Sequence, residues 1–134
     1  MNIEAMLEEE IEVLYNDCYG GWRISPKAYE LYKTRNNNVS PRGKIKKIRT
    51  DPILIQIYHE LGNEFDTKNS KTEIDIFPKK YENYFSFKEY DGLESVHIDY
   101  AQYELDNIKN KIKEILQSSL SNDEKINEFN KIKC

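Results

Sequence analysis

The sequence predicts an α+β fold, and three observations carry that reading. Period-two alternation of branched and aromatic residues appears in separated short runs. An Asp91-Gly92 pair sits between two such runs, and the last third of the chain is amphipathic at helical spacing. Strands grouped around a hairpin, with helices elsewhere, indicate a small antiparallel-dominated sheet of about four strands packed by helices.

Residues 1–10 place Ile3, Met6 and Leu7 at helical spacing, followed by Glu8-Glu9-Glu10. From Ile11 the period becomes two: Ile11, Val13 and Tyr15 alternate with Glu12 and Leu14, a strand expected at an edge or beside the Thr72 strand. It ends at Asn16-Asp17-Cys18-Tyr19-Gly20-Gly21, where glycine permits positive φ. Ser25-Pro26 starts a short helix with Ala28, Leu31 and Tyr32 inward, and Asp51-Pro52 starts a second with Ile53, Leu54, Ile57, Tyr58 and Leu61 inward. Gly62 is placed to end the second helix. Residues 63–71 read as a polar loop. Thr72 to Phe77 alternates with Ile74 and Ile76 on one face, and Pro78 stops it.

Asp91-Gly92 is the pair preferred by a two-residue type I′ hairpin, here joining Tyr84–Tyr90 to Leu93–Asp99. Phe85 and Phe87 share a face of the first arm, Val96 and Ile98 of the second. Asp99 with Gln102 forms a capping box before a helix carrying Leu105, Ile108, Ile112, Ile115 and Leu116. Ser121 with Glu124 opens a last helix with Ile126, Phe129 and Ile132 inward. The expectation is a single domain over 1–134, with a core over 11–98 and a helical C-terminal extension over 99–134.

Composition narrows the function classes. The chain has 134 residues, a formal net charge of −4 and aromatics at 12%, with ten Tyr. Such a chain fills one core and is too rich in aromatics for wholesale disorder. The negative balance argues against global nucleic-acid binding. No apolar run approaches the roughly 20 residues that span a bilayer, and Met1–Met6 lacks a signal-peptide pattern. Cys18 and Cys134 make neither metal spacing nor a disulfide framework, so a reducing, intracellular compartment is expected. Heavy use of Lys, Asn, Ile and Tyr, with little Gly, Pro, Arg or Ala, points to AT-rich coding.

Candidate chemistry concentrates in a few places. The turn Tyr19, Gly20, Gly21, Trp22 and Arg23 lies between a strand and a helix N-terminus. It reads either as a structural turn over a buried Trp or as a ligand site, with Trp22 stacking on a base and Arg23 holding a phosphate. Neither G-x-G-x-x-G nor G-x-x-x-x-G-K-[ST] is present. Cys18 as a nucleophile needs a base, and the chain offers only His59 and His97. Glu89 and Asp91 form a possible acid–base pair, or serve as ordinary turn residues. His59-Glu60 begins like H-E-x-x-H without completing it, and no metal or cofactor is expected.

The charge map is more directional. Residues 1–17 hold Glu4, Glu8, Glu9, Glu10, Glu12 and Asp17 with no base, and residues 42–49 hold Arg42, Lys44, Lys46, Lys47 and Arg49 with no acid. The second segment reads either as a solvated loop or as a basic finger for phosphate, RNA or an acidic protein surface. Self-association through the two segments is the third reading.

Four motifs carry a family resemblance. Tyr19-Gly20-Gly21-Trp22-Arg23-Ile24-Ser25 resembles a GGFxxS turn, with Trp in place of Phe. Arg49-Thr50-Asp51-Pro52-Ile53-Leu54 with Glu60-Leu61-Gly62 resembles an RxDPxLxxxxEELG helix. Thr72–Pro78 resembles an LKIVEIP strand, and Glu89-Tyr90-Asp91-Gly92-Leu93-Glu94 an EYDGxE hairpin. In this order, across 11–98, they resemble small proteins of phages and giant DNA viruses. The resemblance implies a viral accessory protein in the host cytoplasm and assigns no activity, cofactor or catalytic residue. The function expected is non-enzymatic binding of a host or viral macromolecule, with homo-oligomerisation as part of that reading. The alternative is a nucleotide or cyclic-nucleotide binder that counters host defence. An enzyme using Cys18 or the Glu89/Asp91 carboxylates stands third.

Overall fold

In a computed structural model, residues 9–37 and 48–132 are described. Arg42, Lys44, Lys46 and Lys47 therefore lie outside the described residues, as do the helical spacing at Ile3–Leu7 and Cys134. The fold is α+β, and the chain divides into two compact units, Met1–His97 and Ile98–Cys134.

In the first unit, strand β1 (Glu10–Asn16) pairs antiparallel with β2 (Thr72–Pro78), Ile11 facing Phe77 and Leu14 facing Ile74. The four expected strands are present but hydrogen-bond as two separate ribbons, the second formed by β3 (Phe85–Tyr90) and β4 (Leu93–Ile98). Successive strand residues point to opposite faces, yet Val13 and Leu14 are both fully buried. The first strand is thus covered on both sides, and its simple inside–outside alternation does not hold. Leu14 joins a core with Ala28, Tyr32, Ile48, Leu54, Ile57 and Phe65, against which Ile74 packs. Phe77 occupies the opposite face of the ribbon and meets Phe85 of the hairpin at 5.3 Å between ring centres. This corrects the reading of β2, because Ile76 is largely exposed and Phe77 is buried.

Helix α1 (Pro26–Arg35) and helix α2 (Pro52–Leu61) start as their caps dictate. Ser25 Oγ accepts from Ala28 N–H, Asp51 Oδ1 accepts from Ile53 N–H, and proline follows each cap. Asp51 does a second job, since its Oδ2 accepts from the buried Tyr32 hydroxyl at 2.6 Å. Burial first, and then this bond to a carboxylate, push the Tyr32 phenol up to about 12. After α2 the chain makes a 3-10 turn, Gly62–Phe65, that drives Phe65 into the core.

The second unit holds α3 (Tyr100–Gln117) and α4 (Asn122–Asn130). Both N-caps form: Asp99 Oδ1 accepts from Gln102 N–H at 3.0 Å, and Ser121 Oγ from Glu124 N–H at 3.2 Å, while the Gln102 side chain donates to Asp106 Oδ1 and not back to the cap. Neither helix buries a side chain fully.

Candidate functional site

Residues Asp17–Arg23 leave the end of β1 and meet the β3–β4 turn. Asp91 and Gly92 have φ values of +49° and +89°, as a type I′ turn requires. Gly20 N–H donates to Asp91 O at 2.8 Å, so the two turns dock backbone to backbone. The approach is so close that a Cβ on Gly92 would fall 1.8 Å from Gly20 O.

Asn16, wholly buried, holds this junction. Its Nδ2 lies 2.9 Å from Gly20 O, 2.8 Å from Gly92 O and 3.1 Å from Cys18 O. Its Oδ1 accepts from Lys71 N–H at 2.9 Å, and its backbone N–H donates to Glu94 Oε1 at 2.7 Å. One side chain therefore satisfies backbone groups from three segments that no sheet ladder reaches.

Glu94 links the junction to Arg49. The guanidinium grips the carboxylate in two prongs, at 2.6 and 2.9 Å, and also donates to Leu14 O at 3.3 Å. It lies between the rings of Trp22, at 3.9 Å, and Phe87, at 4.7 Å. Arg49 is 4% exposed. Its place in a basic interaction loop is therefore corrected: its charge is spent on Glu94, between two aromatic faces that exclude water. Planar guanidinium suits this slot, since it stacks and forks at once.

Of its two readings, Trp22 takes the structural one. Its ring carries Arg49, and its Nε1–H donates to Thr72 Oγ1 at 2.9 Å. Thr72 in turn donates to Asp66 Oδ1 at 2.5 Å, while Ser70 Oγ donates to Arg23 O at 2.7 Å. The loop over 66–72 thus fixes the turn from its other side.

What is left open beside the turn is a cleft of about 450 Å³ lined by Tyr19, Gly20, Gly21, Arg23, Thr67, Lys68 and Asn69. Four of the five turn residues singled out from sequence line it, and Trp22 does not. Arg23 and Lys68 give it positive charge, and Tyr19 stands edge-on to Tyr90 at 6.5 Å. A second cleft, of about 400 Å³, lies between β1 and α2 and includes Glu10, Glu12 and His59.

The catalytic pairings do not assemble. Cys18 Sγ lies near Asn69 O (3.3 Å) and Asn16 Oδ1 (3.5 Å), whereas His97 pairs with Ser95 at 2.9 Å and His59 with Glu12 at 3.4 Å. Glu89 Oε1 accepts from Gly92 N–H at 3.1 Å, and Asp91 supplies its carbonyl to Gly20, so both act as turn residues. Among the described residues no group of three His, Cys, Asp or Glu is placed to hold a metal ion. No helix among them is long and apolar enough to cross a membrane.

Sequence reasoning passed over Asn16, Glu94 and Asp66. Glu94 is the last residue of the EYDGxE-like motif, Arg49 the first of the RxDP-like motif, and Gly20 and Trp22 belong to the GGF-like turn. Three of the four quoted motifs thus converge on one ion pair and one turn–turn contact. Comparisons with protein-family models, curated proteins and solved structures give no match.

Proposed function

We propose that this chain is a non-enzymatic accessory protein that works by binding macromolecules inside a host cell, with self-association as part of that role. The observation that carries the reading is the helical unit. Its two helices bury no side chain fully, and Leu105, Ile112, Leu116 and Ile126 are 37–59% exposed. Apolar surface grouped in this way is typical of interaction surfaces. The polar groups of the motif junction support the reading from the other side, because they are engaged with one another and leave no nucleophile–base pair there. The viral setting rests on the motif resemblance, and the segregated charge at Arg42, Lys44, Lys46 and Lys47 adds support for the partner-binding role.

The test is affinity capture with the full chain and with a K44E/K46E/K47E variant, the captured macromolecules being identified by mass spectrometry and by RNA sequencing. Loss of specific capture in the variant supports the reading. An identical captured set from both chains removes the basic segment from it.

A second reading is favoured by the cleft beside Gly20 and Gly21. Two cations and a rim aromatic around about 450 Å³ suit a small anionic ligand such as a nucleotide or cyclic nucleotide. A nucleotide panel read by thermal shift tests it, since a ligand at a hundred times its Kd stabilises by about 2.7 kcal/mol. A panel with no shift sinks this reading.

A further inference from the structure

We infer that the open face of α3 is a self-association seam that takes a second copy of this chain, the two α3 helices lying parallel. The inference deepens the interaction role proposed above and rests on it. Leu105, Ile108, Ile112 and Ile115 recur at alternating intervals of three and four, the a and d spacing of a heptad. Four consecutive seam positions are therefore apolar along a single continuous helix. Leu105 and Ile112, the two a positions, are 46% and 37% exposed, and Leu116 beside them is 59% exposed. Helix α4 packs beside Ile115, where Glu128 and Ile132 approach it across a shallow cleft. Isoleucine at d favours assemblies of more than two strands. A pair of these two-helix units brings four helices together, which meets that preference with only two chains.

Flanking charge selects the occupant and its direction. Glu104 and Lys109 fall on the g and e positions bordering the seam. In a parallel pair each Glu104 faces the Lys109 of the other copy, twice by symmetry. The antiparallel arrangement sets Lys109 against Lys109 and Lys111 against Lys111, which repels. Lys111 in the parallel pair instead lies along Leu116 of the other copy, where its methylene stem covers apolar surface. The helix thus carries both halves of its own complement.

Sedimentation velocity on the full chain at tens of micromolar tests the seam, with Trp22 emission reporting that the first unit stays folded. The expected result is a dimer for the parent chain and a monomer for L105E/I112E with unchanged emission. E104K alone should weaken the dimer on the order of tenfold, and E104K/K109E should restore it. In a C18S/C134S background, L105C should oxidise to a disulfide-linked dimer, because parallel a positions meet their own counterparts. A monomeric parent chain, or an L105E/I112E variant that stays dimeric, overturns the seam. Cross-linking of L105C only to I115C overturns the parallel direction. A monomeric parent chain that still loses its captured partner through K44E/K46E/K47E would remove the seam and leave the interaction role standing. Loss of neither partner nor dimer would remove the seam and the basic segment as the surfaces responsible.

Discussion

Arg49 and Glu94, 45 residues apart in the chain, form a two-pronged ion pair at 2.6 and 2.9 Å that ties the start of α2 to the hairpin. The pair is almost wholly out of water, with side-chain exposures of 4% and 10%. Burying two charges is costly, and the cost is met only while the geometry stays intact.

Removing one partner should therefore be severe. Glu94→Ala leaves the guanidinium uncompensated between Trp22 and Phe87, and also deprives Asn16 N–H of its acceptor. The expected loss is about 3–5 kcal/mol in chemical denaturation. Arg49→Met with Glu94→Leu should recover part of it, since an apolar pair carries no stranded charge but still leaves Asn16 N–H without its acceptor. Equal losses in the single and double variants would show that the pair is not coupled.

Of the glycines at the junction, Gly92 is essential and Gly21 is permissive. Gly92→Ala puts a methyl 1.8 Å from Gly20 O, a backbone atom that no side-chain rotation can relieve, at a φ of +89°. Backbone strain of this kind costs about 1–3 kcal/mol before the clash is counted. Gly21→Ala meets nothing within 4 Å and should stay within about 0.5 kcal/mol of the parent. Comparable midpoints for the two variants in urea would refute the turn–turn docking.

How far the sequence disclosed this junction follows from what kind of force holds each part. Capping is local, so Ser25, Asp51, Asp99 and Ser121 announced their helices, and Asp91-Gly92 its hairpin. The junction itself is long-range. Nothing near Asn16 in sequence says that its amide will serve Gly92 O, and nothing near Arg49 says that its charge will be buried. Arg49 adjoins the basic segment in sequence, yet its burial is decided by Trp22 and Phe87, which arrive from elsewhere. Leu14 and Phe77 depart from the simple alternation for the same reason: the β1–β2 ribbon has cover on both faces, and a period-two reading allows one buried face.

Asn16 makes the third prediction specific to its amide. Asn16→Asp replaces an NH2 donor by a carboxylate oxygen facing three carbonyls, at Cys18, Gly20 and Gly92. With three acceptors deprived of a donor and a buried charge added, a loss of about 3 kcal/mol or more is expected at neutral pH. The new carboxyl titrates above the usual range in the folded state, so acidification should narrow the gap to the parent as it becomes protonated. A gap that does not change between neutral and mildly acid pH would show that the site is open to water.

Tyr32 supplies an alkaline signature. Its phenol is raised from 10.0 to about 12, first by burial and then by its bond to Asp51. The folded chain therefore holds this proton more tightly than the unfolded one. The stabilisation is fully present below about pH 10 and is lost as pH rises through the folded value near 12. Tyr15 and Tyr58 are raised as well, with burial as the leading cause in both, so they add to the same slope. Tyr32→Phe should lower stability at pH 8, where the hydroxyl bond is lost and Asp51 keeps only its capping role. It should also flatten the fall in Tm between pH 10 and 12 without abolishing it. Thermal unfolding of parent and variant across that range gives the comparison directly. Parallel curves would mean that the Tyr32 proton is bound equally in both states, and that the Tyr32–Asp51 bond does not hold α1 to the start of α2.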